Sequence, residues 1–415
     1  MIASFRTGAL ALTTAAFLAG TAHAENVKIA YIDPVSGPLG LLGENGLQAF
    51  RVSEEIYQAR KDADKSITLE FVAFDNKANP QETLLQFKAA VDQGIRYVTQ
   101  GVGSGAAGAL LDAVNKHNER NPGKEVIYVS WGSNDPALTN EKCSFWHFRM
   151  DAHSEMKVEA LTTYMAKDPK IKKLYLINQN FVTGQSVSKL TKEYLARKRP
   201  DIQIVGDDLI PLGQVKDFSP YVAKIRATGA DSIVTSSFGN DLTLLIKAAK
   251  EADLKVDFYT MFANAPGAPA AMGAVGEDRL KLIAYYHPNI EGFTGAAYTE
   301  VMNKKYGKDF LHLAASNGVE MLHQGFRDAK STDALKVAYA MEGMKFKGLT
   351  GEMEMRKSDH QMLLPLYVAN WTKVNGKDVK YDQEKTGYGW KTVQKLDSYV
   401  SAQPTSCQMK RPSGT

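Results

Sequence analysis

A chain of 415 residues, 44% of them hydrophobic and carrying a formal charge of only +4 at pH 7, is long enough for two domains of ordinary size. Its Lys and Arg residues form no block, which argues against a nucleic-acid surface, and past residue 24 no uncharged apolar run reaches the ~18 residues that a membrane span needs.

The first segment reads as an export signal. Arg6 gives a positive start, Ala9 to Gly20 a short apolar core, and Ala22-His23-Ala24 a small-residue cleavage pattern. The apolar run is too short for the ~20 residues of a transmembrane helix. The expectation is a periplasmic protein cleaved after Ala24, with no cysteine at the new N-terminus to take a lipid. Nucleotide and nicotinamide cofactors are not expected there, and the two cysteines, Cys143 and Cys407, are expected to pair in an oxidising compartment.

Further along, Val27 to Ile32, Ile67 to Ala73, Arg96 to Gln100 and Val126 to Ser130 are short apolar runs suited to strands buried on both faces, with helical patterns between them. This alternation predicts a parallel α/β sheet. The helix after the second strand has Asn79 as N-cap, Pro80 at its first position and Glu82 to complete a capping box, with Leu84, Phe87 and Val91 as its buried stripe. After a break near 150–153 the pattern restarts with Lys173 to Asn178, Ile202 to Leu209, Ser232 to Thr235 and Asp257 to Thr260, and a helix carrying Leu242, Leu245, Ile246 and Ala249 on one face. Two similar lobes follow. Residues 294–342 read as mostly helical, and Leu363 to Trp371 returns to a strand.

Gly103-Ser104-Gly105-Ala106-Ala107-Gly108 fits the dinucleotide pattern G-x-G-x-x-G, but it follows the third strand of its lobe, and no acidic residue closes the next strand. The nucleotide reading fails on context. What remains is a small-residue turn at a helix start, where a hydroxyl and free N–H groups suit an anion. No G-x-S-x-G elbow, HExxH helix or Cys-x-x-C is present, so no enzyme is expected. His147, His153 and Glu155 lack the spacing of metal ligands, Glu320 and His323 read as structural contacts, and Asn370-Trp371-Thr372 sits in a strand-like run unsuited to glycosylation. Neither metal nor cofactor is expected.

The stretch 27–50, VKIAYIDPVSGPLGLLGENGLQAF, resembles the opening of periplasmic solute-binding proteins of the branched-chain amino-acid type. Further matches follow in order: FDNKANPQETLLQF at 74–87, GVGSGA at 101–106, NDPALT at 134–139, FRM at 148–150, GADSIV at 229–234 and DHQ at 359–361. The resemblance covers nearly all of the chain after the leader. It implies an α/β fold of two doubly wound Rossmann-like lobes joined by a three-crossing hinge, the type I periplasmic binding protein fold, with the ligand in the cleft at the carboxyl ends of the strands. Crossings are expected near 151–154, 286–290 and 345–352. The first lobe would comprise 25–152 and 289–346 and the second 153–288 and 347–400, with 401–415 packed back on the first.

By position, the resemblance implies that Ser104 and the backbone at Gly132 hold a ligand carboxylate, with Asn134 following. It places Phe181 or Thr183, and Phe238 or Gly239, as walls from the second lobe, and Leu42 as an apolar wall from the first. Where amino-acid binders hold the ligand ammonium with carboxylates, this chain has Phe262 and His153 or Ser154, so only Asp151 or Asp241 could take that role. The expected function is therefore substrate binding for an ABC-type importer, with an amine-free aromatic or aliphatic acid preferred and an amino acid next. The expected partner is an inner-membrane permease, the chain acting as a monomer without nucleic acid. The alternative is a soluble sensory module reporting to a receptor, which a neighbouring permease gene would argue against.

Overall fold

The computed structural model describes residues 24–413; the leader's charged start and apolar core lie outside them. The first half alternates as its patterning requires: β1 (Glu25–Asp33), α1 (Gly40–Ala59), β2 (Ile67–Asp75), α2 (Pro80–Asp92), β3 (Tyr97–Gln100), α3 (Ser104–Arg120), β4 (Ile127–Ser130) and β5 (His147–Arg149). These strands make one parallel sheet in the order β2-β1-β3-β4-β5. The chain then runs through α4 (Ser154–Met165), β6 (Lys173–Gln179), α5 (Val182–Lys198), β7 (Gln203–Ile210), α6 (Ser219–Thr228), β8 (Ser232–Thr235), α7 (Gly239–Glu251), β9 (Asp257–Thr260), α8 (Ala268–Met272) and β10 (Leu280–Ala284). Their sheet repeats the same winding, β7-β6-β8-β9-β10, and is extended by the antiparallel strands β14 (Leu366–Lys373) and β15 (Tyr388–Leu396). The protein is therefore an α/β molecule of two doubly wound lobes. In such sheets the strand order reverses beside the first strand, here between β1 and β3 and between β6 and β8, and the crevice at the carboxyl ends is where ligands bind.

Between β10 and β14 the chain forms α9 (Ala296–Tyr306), α10 (Leu313–Ala329) and α11 (Ala334–Met341), then a small sheet of β11 (Lys345–Gly348), β12 (Gly351–Met355) and β13 (Met362–Leu363). The helices from 296 onward match the helical reading of that stretch. Glu320 and His323 on α10 are satisfied not by each other but by α1: Glu320 pairs with Arg60 at 2.6 Å, and His323 lies 2.7 Å from Glu54 and stacks on Tyr57.

Two details correct the sequence reading. Asn79 does cap α2, its Oδ1 accepting from the Gln81 and Glu82 N–H groups, but its own N–H goes to the Asn76 carbonyl, so the capping box is half formed. Leu84 is exposed; of the expected stripe, Phe87 is buried, together with Thr83 and Ala90, and Val91 is half-buried against the core. The Leu242, Leu245, Ile246 and Ala249 face of α7 is buried as expected.

The C-terminal residues run back along the first sheet's side of the molecule. Cys407 is bonded to Cys143, Thr405 Oγ1 donates to the Thr139 carbonyl, and Arg411 reaches Glu342. Residues 356–361 also meet that sheet, the Arg149 N–H donating to the His360 carbonyl.

Candidate ligand-binding cleft

Each wall of the site is the residue or two that follow a strand. After β3 the chain turns through Gly101, Val102 and Gly103 into α3. Gly103 has φ +90°, a left-handed conformation that favours glycine, and a Cβ on Gly101 would lie 2.4 Å from the Trp131 indole. Small residues at these two positions are thus what let the turn reach the cleft. Underneath, Asp33 ends β1 and is fully buried; its carboxylate accepts from the N–H groups of Gly101 and Val102 and from the Trp131 indole N–H at 2.8 Å. Burial pushes this carboxyl up to about 7, against the lowering pull of those donors.

After β4 come Trp131, Gly132, Ser133 and Asn134; after β6, Phe181; after β8, Phe238; after β9, Met261 and Phe262; after β10, Tyr285. All of these line one cavity of about 100 Å³, together with Leu42, Ser104, Asp151, Lys157, Thr183 and His312. The eight positions named from sequence, Leu42, Ser104, Gly132, Asn134, Phe181, Thr183, Phe238 and Phe262, are thus brought together. At ~10–15 Å³ per water the space holds several waters and is smaller than the ~150 Å³ cavity that takes a benzene, so an aromatic ligand would need the walls to move apart.

The lobes touch across this cavity. Ser104 Oγ at the start of α3 lies 2.9 Å from Thr183 Oγ1 in the first turn of α5. Phe181, Phe238 and Phe262 form an edge-to-face row with successive ring centroids 5.7 Å apart. Two of these rings occupy N-cap positions, Phe181 of α5 and Phe238 of α7, and Gly103 caps α3; none of the three caps with its side chain. N-caps favour Ser, Thr, Asp or Asn because the first helical N–H groups need an acceptor. Three helices begin at the cleft without one, and each brings the positive end of its dipole.

Sequence reasoning missed the cation. Lys157, on the first turns of α4, is buried and lines the cavity, its Nζ donating to Asp151 Oδ2 at 2.8 Å and Asn134 Oδ1 at 2.7 Å and lying 5.4 Å from the Phe262 ring centre. Asn134 in turn donates to the Gly132 carbonyl. Of the two carboxylates that the sequence left open for this role, Asp151 is in the wall, but Lys157 already neutralises it. Burial pushes the Asp151 carboxyl up and Lys157 pulls it back. Among the described residues no donor bonds its Oδ1. Asp241 is elsewhere, accepting from Gln179 Nε2 and the Gly213 N–H. Neither His153 nor Ser154 is in the wall; Ser154 Oγ donates to the Asn134 carbonyl, and Gly239 gives way to Phe238.

Comparison with known proteins agrees with this arrangement. A family model described as periplasmic binding protein matches residues 26–378. The Leu/Ile/Val-binding protein homolog 4 of Brucella abortus (strain 2308) is 31% identical over 408 residues, 95% of each chain. Among solved structures, the leucine-, isoleucine-, valine-, threonine- and alanine-binding protein from Brucella ovis in its closed conformation superposes with a TM-score of 0.81 at 29% identity, covering 94% of this chain and 100% of its own. A solute-binding protein of an ABC transporter from R. palustris in complex with benzoate gives 0.78 at 16% identity, covering 92% and 99%. Two doubly wound lobes meeting over one small cleft, and a family match across most of the chain, make this protein a member of the periplasmic binding protein family, a solute-binding protein and not an enzyme.

Proposed function

We propose that the protein is exported, cleaved after Ala24, and carries a small amine-free carboxylic acid, aromatic or branched aliphatic, to an ABC permease of the inner membrane. The observation that carries this reading is the meeting of three uncapped helix starts, the Ser104 hydroxyl and the Lys157 ammonium around a cavity that three phenylalanines also line. The first group suits a carboxylate and the second an apolar body. A ligand ammonium would have to share Asp151 with Lys157, and a buried charge left short of a partner costs ~3–5 kcal/mol. Solved relatives of this fold are described with amino acids or with benzoate, so the fold does not choose between them; the residues favour the acid.

The proposed lobes are 25–152 with 289–346 and 153–288 with 347–400, with 401–415 returning to the first. Because 356–361 bonds to β5, the third crossing in this proposal extends through 345–363. Closure about the crossings would bring Ser104 to Thr183 over the ligand, a hinge motion.

A second reading, an α-amino acid, is favoured by the unpartnered Asp151 Oδ1 and by the name of the relative at 31% identity. Calorimetry of benzoate and its alkyl-substituted analogues against leucine, isoleucine and valine separates the two. Tighter binding of the acids supports the first reading. Tight leucine binding with silent acids overturns it, and loss of that binding in Asp151→Asn would establish the second.

A further inference from the structure

Besides Ser104 and Thr183, a second polar bridge joins the lobes away from the crossings. It starts at the tip of the β14–β15 hairpin, where the Glu384 backbone N–H donates to Asp309 Oδ2 at 2.8 Å. Asp309 lies in the loop that enters α10, and that loop is tied to α1: Asn45 Nδ2 donates to the Asp309 carbonyl at 3.1 Å, and Lys308 pairs with Glu44 at 2.7 Å. Leu311 and His312, which follow in the same loop, line the ligand cavity.

The hairpin side is held just as firmly to the second sheet. Gln383 Nε2 donates at 2.7 Å to the carbonyl of Asn264, itself a residue of the cavity wall, and Gln383 Oε1 accepts from the Trp390 indole N–H at 2.8 Å. The Glu384 carboxylate accepts from the N–H groups of Gly267 and Ala270, at 2.6 and 2.9 Å, where α8 begins. Glu384 and Lys385 stand at φ +53° and +56°, a conformation that residues other than glycine adopt at a cost, and these bonds hold the tip in it.

We propose that Asp309, Gln383 and Glu384 are positioning residues for ligand capture, a clasp made when the lobes close that sets Asn264 in one wall against Leu311 and His312 in the other. None of the three lines the cavity, so they act on the ligand through the wall residues they hold. The Asp309 bond crosses a seam that parts when the hinge opens, so it strengthens the closed form alone, and a ligand retained by that form leaves more slowly. The inference rests on lobe closure and not on which acid the cleft takes.

The test uses the purified full mature chain and, as probe, whichever of leucine and 4-methylpentanoate binds it more tightly. In Asp309→Ala the probe is expected to bind about tenfold more weakly by calorimetry. The change should lie in a faster dissociation rate, read by stopped flow, with association unaltered. Asp309→Asn keeps an acceptor and should stay within about threefold of the unmodified chain. In the unmodified chain the Glu384 amide is expected to exchange its hydrogen roughly tenfold more slowly with the probe than without it, a comparison that stands whether or not a variant folds. An amide equally protected with and without the probe, or affinity and dissociation unchanged in Asp309→Ala, overturns the inference. Leucine as the tighter probe overturns the acid reading alone, since the clasp is read with either ligand.

Discussion

Ser104 and Asp33 work on the same turn from opposite sides. Ser104 presents its hydroxyl to the cleft and to Thr183, so Ser104→Ala is expected to weaken ligand binding by ~1–3 kcal/mol, read by calorimetry, with an unchanged circular dichroism spectrum. Unchanged affinity would remove Ser104 from the site. Asp33 instead holds the turn from below. With its folded value near 7, above that of an unfolded carboxyl, the folded chain keeps a proton that the unfolded chain releases at lower pH. The stabilising contribution is therefore full below about pH 4 and is lost as pH rises through about 7. Against Asp33→Asn, which does not titrate, wild-type stability is expected to fall by on the order of 4 kcal/mol over that window in urea denaturation at several pH values. A gap that does not change with pH would contradict it. Ser104 was legible in the sequence as a hydroxyl in a small-residue turn at a helix start, whereas Phe181, Phe238 and Phe262 came from the positions that the family resemblance implies. Lys157 and Asp33 were legible in neither way: a lysine on a helix and an aspartate after a strand read as surface residues, and only tertiary packing buries them.

Elements were legible where they are long and apolar. The strands β1 to β4 and β6 to β9 follow their hydrophobic runs to within a few residues, whereas β5 is three residues, His147–Arg149, and β10 carries the buried Lys281 paired with Asp257, so neither reads as a strand alone. The cap of α2 was legible, and Asn79→Ala is expected to cost about 1 kcal/mol of stability by removing the acceptor of two N–H groups, read from thermal or urea unfolding. No change would mean that water replaces it fully. The Cys143–Cys407 bond closes a loop across 264 residues, which in the chain-entropy model is worth about 5 kcal/mol. Thiol titration of unfolded, unreduced protein should find no free thiol, and Cys143→Ser with Cys407→Ser should lower the unfolding midpoint. Two reactive thiols per chain would refute the pairing.

Two sheets wound in the same order set their switch points face to face, and the cavity between them is walled by both lobes. A ligand held this way binds the closed form, so saturating it at 100 times its Kd should raise stability by ~2.7 kcal/mol and contract the molecule in small-angle scattering. A ligand that stabilises without contraction would argue against closure. The central claim is that this cleft takes a carboxylate with no α-amine, because Lys157 already occupies Asp151. It is tested most directly by calorimetry on a matched pair, leucine and 4-methylpentanoate, which share every atom of the side chain and the carboxylate and differ only in the amine. The account predicts that 4-methylpentanoate binds at least tenfold tighter; leucine binding as tightly or more tightly would contradict it.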